Sequence, residues 1–173
     1  MDISELDVSS VRRQIGVVMQ HGQLMEGSIF SNIVGSLPLT MDDAWEVARL
    51  VGLEADIKDL PMGMHTIVNE GGTTFSGGQR QRLLIARSLV HHPRIIVFDE
   101  ATSSLDNETQ AIVSKTLDAM RSTRIVVAHR LSPIEHADRI LVMDRGEIVE
   151  DGTYSELMEK KGLFAELAAR QIA

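Results

Sequence analysis

Residues 74–106 read TFSGGQRQRLLIARSLVHHPRIIVFDEATSSLD, and this run decides the fold. Ser76-Gly77-Gly78-Gln79 is a small turn opening a helix predicted from Gly77 to about Val90, with Leu83, Ala86 and Val90 recurring on one side. A helix start there aims unpaired backbone N–H groups and a positive dipole end at an anion. Residues 94–98 follow as a short buried strand, with Ile95, Ile96, Val97 and Phe98 in unbroken succession. Asp99 and Glu100 end it. Two adjacent carboxylates at the carboxyl end of a strand are costly unless something cationic or catalytic uses them. Ser103-Ser104-Leu105-Asp106 then leads into a helix over roughly 107–120, for which Asp106 is a natural N-cap.

Upstream, residues 1–10 read as a polar connector with a short helical turn. Residues 14–19 (QIGVVM) form a buried strand that ends at Gln20. A short helix is expected over 28–35, and Pro38 breaks that pattern. Thr40 caps a second helix, with Asp42 and Asp43 in its first turn and Ala44, Val47, Ala48 and Val51 at helical spacing. Gly52 stops it, and a further short helix follows from Leu53. Trp45 is read as packing. Residues 61–74 are loop-like. His91-His92 closes the helix after the SGGQ turn, where imidazolium complements the dipole; adjacent histidines on a helix diverge by about 100°, which disfavours a metal pair.

Downstream, residues 124–128 (RIVVA) are another buried strand, ending at His129. Ser132-Pro133-x-Glu135 has the spacing of a helix start. Residues 140–143 and 148–150 flank a hairpin turn at Asp144-Arg145-Gly146. Thr153-x-x-Glu156 begins another capped helix, and a last helix over about 163–172 carries Phe164, Leu167 and Ala168 on its apolar face.

The composition narrows the function classes. The 173 residues are 43% hydrophobic but only 3% aromatic, so one domain with an aliphatic core is expected. A formal charge of −8 argues against a nucleic-acid surface, so no nucleic-acid partner is expected. Without cysteine there is neither a disulfide nor a thiolate metal site. No apolar run approaches the ~20 residues that span a bilayer.

FSGGQRQRLLIARSLVHHPRIIVFDEATSSLD resembles the signature-to-D-loop segment of an ATP-binding cassette (ABC) transporter ATPase, and the resemblance extends over nearly all of the chain. It is nearest the exporter branch, most closely the ATPases of peptide or bacteriocin export. The family implies an α/β fold, with a P-loop NTPase-like parallel-sheet core and a helical signature subdomain. The helical subdomain is expected at about 28–92, with 1–27 and 93–173 forming the core.

The resemblance also implies roles and partners. The ligands are ATP and Mg²⁺. Asp99 is the Walker B carboxylate that holds Mg²⁺ directly or through water, Glu100 the general base or water-orienting group, and His129 the switch histidine on the γ-phosphate. Gln20 is the Q-loop residue, on Mg²⁺ or the attacking water, and Asp106 the D-loop aspartate. Ser76, Gly77, Gly78 and Gln79 bind the γ-phosphate of ATP on a second subunit, in a head-to-tail dimer. The dimer works with transmembrane domains, on the cytoplasmic face of the membrane.

Three departures stand out. Phe75 replaces the usual leucine before the signature. Asn69-Glu70-Gly71-Gly72 lacks the arginine usual in the exporter loop that touches the membrane domain. The phosphate loop, G-x-x-x-x-G-K-[ST], occurs nowhere in these residues. The chain is therefore read as the C-terminal two-thirds of an ATPase domain, incomplete at its N-terminus and inactive by itself. The alternatives are a non-transport ATPase of the same superfamily, which should carry a long insertion and basic surface, and a regulatory or dimerisation fragment without activity. An exposed sheet edge is expected where the strand feeding the phosphate loop would lie.

Overall fold

The structure, a computed structural model, describes residues 5–69, 75–99, 105–120, 122–128 and 134–172. The chain divides into two compact units, residues 1–125 and 126–173.

The first unit begins with α1 (Val8–Arg12), whose N-cap Asp7 accepts a bond from the Ser10 amide. Next come β1 (Ile15–Val18), the two-residue strand β2 (Gly27–Ser28), α2 (Ile29–Val34), α3 (Met41–Leu50) and α4 (Glu54–Lys58). A single 3₁₀ turn (Gly63–His65) leads into β3 (Ile67–Val68), then α5 (Gly77–Leu89), β4 (Ile95–Asp99) and α6 (Asn107–Ala119). The helix starts follow local chemistry. Thr40 makes a full capping box with Asp43, and Ser28 caps α2 through the Ser31 amide. Gly52, at φ +70°, supplies the left-handed residue just past α3.

β1 and β4 pair in parallel, with Gly16 opposite Ile96 and Val18 opposite Phe98, and β5 (Thr123–Val127) lies beyond β4. Val18, Ile96 and Phe98 are buried in one core with α2, α3, α5 and α6. The helical subdomain expected at about 28–92 thus shares its core with the strands, and Trp45 packs against it.

The unbroken apolar runs suggested strands buried throughout. Instead burial alternates: Val17 is 49% exposed, and Ile95 and Val97 are half-buried. A parallel sheet is ordinarily covered on both faces, so an apolar run on such a strand does not reveal that one face is left bare. β5 is exposed at all five residues, including Ile125, and among the described residues no strand pairs beyond it. Such an edge templates pairing between chains. Ile125→Lys is expected to raise the monomer fraction at high concentration with little change in stability; size-exclusion chromatography across a dilution series checks it.

The second unit contains the antiparallel hairpin β6 (Ile140–Asp144) and β7 (Glu147–Gly152), followed by α7 (Tyr154–Lys160) and α8 (Leu163–Ile172). Arg145 and Gly146 both have positive φ, as a two-residue hairpin turn requires. Thr153 caps α7 through a capping box with Glu156. Leu157, Phe164 and Ala168 are buried with Ile140 and Val142, and Tyr154 meets Phe164 edge to face at 5.5 Å. Leu167, expected on the apolar face of α8, is largely exposed. The helix start expected at Ser132-Pro133 lies outside the described residues, and 134–136, which follow it, form a turn.

Candidate functional site

Ser76 is the N-cap of α5. Its hydroxyl oxygen accepts from the Gln79 amide at 3.2 Å, while the Gln79 carbonyl oxygen Oε1 accepts from the Ser76 amide at 3.0 Å. This reciprocal box fixes the turn. Phe75 is buried in the core just before it, so the bulkier residue serves as an anchor. Ser76 and Gly77 are exposed, and a Cβ built on Gly77 would meet nothing among the described residues within 4 Å. The start of α5 is therefore open to an approaching anion, and its first amides lack intrahelical partners.

Gln79 is committed elsewhere. Its Nε2 donates to Asp56 Oδ1 at 2.7 Å, and Asp56 Oδ2 pairs with Arg82 Nη1 at 3.1 Å. Arg82 also donates to the Gly52 carbonyl. The Gln79 side chain thus braces the turn against α4 and the end of α3. The spacing around SGGQ gave no sign of this, because Asp56 lies 23 residues away.

Asp99 ends β4. Gln20 follows β1 by two residues, and the parallel register brings both to the carboxyl edge of neighbouring strands, where open α/β sheets bind ligands. Their oxygens are hard donors that fit Mg²⁺. Among the described residues no cluster of three or more His, Cys, Asp or Glu could hold a metal alone, so further ligands would come from phosphate and water. Asp106 caps α6, accepting from the Thr109 amide at 2.8 Å and from its hydroxyl at 2.9 Å. Glu100, His129 and the loop at Glu70-Gly71-Gly72 lie outside the described residues.

His91 is half-buried just past the end of α5. Burial, the largest influence, lowers its pKa from the ordinary value of 6.5; the backbone of Ile15 partly opposes this, and His92 adds to it. A histidine kept neutral in the fold but protonated in the unfolded chain stabilises above about pH 6.5 and loses that contribution as pH falls. His91→Gln is expected to flatten the dependence of urea-unfolding stability on pH between about 7 and 5.

The sequence profile of the ABC transporter family matches residues 1–103. The chain belongs to the ABC transporter family. Within it, the chain is 49% identical over 170 residues to the alpha-hemolysin translocation ATP-binding protein HlyB of Escherichia coli O157:H7, a match covering 96% of this chain and 24% of that protein. It is 43% identical over 175 residues to the leukotoxin export ATP-binding protein LtxB of Aggregatibacter actinomycetemcomitans, covering 99% of this chain and 25% of that one. Among solved structures, a bacterial Atm1-family ABC exporter with ATP bound superposes with a TM-score of 0.94 at 38% identity, over 100% of this chain and 31% of that one. The chain is thus an exporter-type ABC ATPase region with the parallel-sheet fold expected from its motifs, spanning about a quarter of the length of the relatives it matches. Those relatives are named for the translocation or export of protein toxins; none of these names refers to a bacteriocin. Among the described residues no helix is long and apolar enough to cross a membrane.

Proposed function

We propose that this chain is the signature-bearing part of an ATPase that hydrolyses ATP to drive export of a polypeptide through transmembrane domains, from the cytoplasmic face of a membrane. The carrying observation is the open start of α5, where Gly77 leaves a phosphate room to reach the backbone amides. In a head-to-tail dimer, Ser76, Gly77 and Gly78 take the γ-phosphate of ATP held by the second subunit, while Gln79 positions them. Asp99 and Gln20 hold Mg²⁺, which neutralises phosphate charge when bound. Glu100 orients the attacking water and accepts its proton, His129 steadies the γ-phosphate, and Asp106 lines the interface. Water attacks the γ-phosphorus, and the bond to the bridging oxygen breaks to leave ADP and phosphate. The names of the relatives favour a toxin cargo over a bacteriocin.

Hydrolysis also needs a loop to cradle the phosphates, and none of these residues supplies the G-x-x-x-x-G-K-[ST] pattern. The bare edge at β5 is open to pairing with a further strand. The chain by itself is therefore expected to turn over no ATP. A Mg-ATP titration with an assay for released phosphate tests this. No turnover and no saturation at millimolar nucleotide is the expected result; turnover abolished by Glu100→Gln would show that the phosphates are held without that loop.

A further inference from the structure

We infer that Arg87 and Asn32 act together as a positioning clamp that fixes the segment after Gln20 on the signature helix, tying Gln20 to Ser76; the functional half of this inference rests on the ATPase role proposed above. Asn32, on α2, is 1% exposed yet spends all four of its hydrogen-bonding positions. Its Nδ2 donates to the Met25 carbonyl at 2.8 Å and the Ser28 carbonyl at 3.1 Å, and its Oδ1 accepts from the Met25 amide at 2.9 Å. The fourth bond comes from Arg87 Nη2 on α5, at 2.5 Å. Arg87 Nε donates to the Asn32 carbonyl at 2.6 Å and Nη1 to the Gln23 carbonyl at 3.3 Å.

The chemistry of this junction is unusual for plain packing. α5 is lined with buried Leu83, Leu84, Ile85, Ala86 and Leu89, and an aliphatic side chain at 87 would bury more cheaply than a guanidinium. Burial lowers the pKa of Arg87, the signature of a charge held at a cost. The oxygens that receive these bonds are neutral, so no ion pair at Asn32 or Gln23 offsets that cost. The guanidinium gives one donor to the Gln23 carbonyl and two to Asn32, and Asn32 in turn holds Met25: residues 19–26 lie between β1 and β2 with little ladder of their own, and these side chains hold their backbone at Gln23 and Met25. Leu24 is buried between these two anchors. The clamp therefore sets where the segment leaving Gln20 sits. Arg87 lies eleven residues along α5 from Ser76, about 16 Å of rigid helix. A shift of Gln20 on nucleotide binding is passed through Gln23, Met25 and Asn32 to Arg87, and along α5 to the signature turn.

Two measurements test this. The first is hydrogen exchange on this chain, read at the Met25 amide. Arg87→Lys keeps the charge but loses the fork, and is expected to speed exchange at Met25 while leaving the amides of α3 unchanged; equal exchange in variant and parent would overturn the clamp. The second is a double-mutant cycle in the membrane-embedded exporter that carries this region, with turnover counted per ATP-binding site. Arg87→Lys is expected to lower turnover about tenfold beside native Gln20, and less than about twofold in a Gln20→Ala background. A merely structural role would lower turnover by the same factor in both backgrounds, which would contradict the coupling. If Arg87→Lys does not fold, Asn32→Asp deletes the two donors to Met25 and Ser28 at constant shape and enters both measurements. An exporter without ATP turnover in its native form would refute the ATPase role, and the exchange result alone would then decide whether the clamp exists.

Discussion

Gly77→Ala is expected to abolish most ATP turnover in the assembled exporter while leaving the fold intact. The added methyl meets no atom of the described residues within 4 Å, so none of them is overpacked. Alanine is also the better helix former, and the change in unfolding free energy should stay within about 1 kcal/mol. The methyl instead enters the space through which a phosphate reaches the first amides of α5. Displacing an anion from such a donor costs on the order of 10²-fold in rate. Urea unfolding and steady-state turnover, measured on the same preparation, separate the two effects. A loss of turnover in step with a loss of stability would contradict the role given to this turn.

Gly16→Ala is expected to do the reverse. A Cβ on Gly16 would sit 2.4 Å from the Ser88 carbonyl oxygen and 3.0 Å from the Pro93 ring. The oxygen belongs to the backbone of α5 and cannot step aside as a side-chain tip would. Either β1 or α5 must move, at a cost of about 1–3 kcal/mol, and more for Gly16→Val. Because β1 carries the chain into Gln20, the damage begins as loss of folded protein, read as a lower urea midpoint at unchanged slope. Unchanged stability would mean that β1 and α5 are not in the tight contact described.

These two glycines also show what the sequence could reveal. Gly77 announced itself through its neighbours: a serine, a paired glycine and a glutamine at capping-box spacing, followed by a periodic helix. The caps at Thr40, Asp106 and Thr153 were legible for the same reason, since each bond spans three residues and needs only local chemistry. The end of β4 at Asp99 was legible because a carboxylate pair closes four apolar residues. Gly16 gave no signal, since what it approaches lies more than seventy residues away. Arg87 gave no signal either, since it grips Asn32 across 55 residues, and periodicity does not report such a partner. Gln79 was read as a phosphate contact, whereas its side chain is spent on Ser76 and Asp56. The half-bare sheet was hidden because apolar runs on β1 and β4 look the same whether one face or two are covered.

We propose that Glu100 and the α5 turn belong to one ATP-hydrolysing machine. The most direct test is turnover of the assembled exporter carrying Glu100→Gln, with bound nucleotide measured alongside. Turnover is expected to fall by about 10²–10⁴-fold while Mg-ATP remains bound between two subunits. Turnover close to that of the native protein would contradict it, and the water-orienting role would have to pass to another residue.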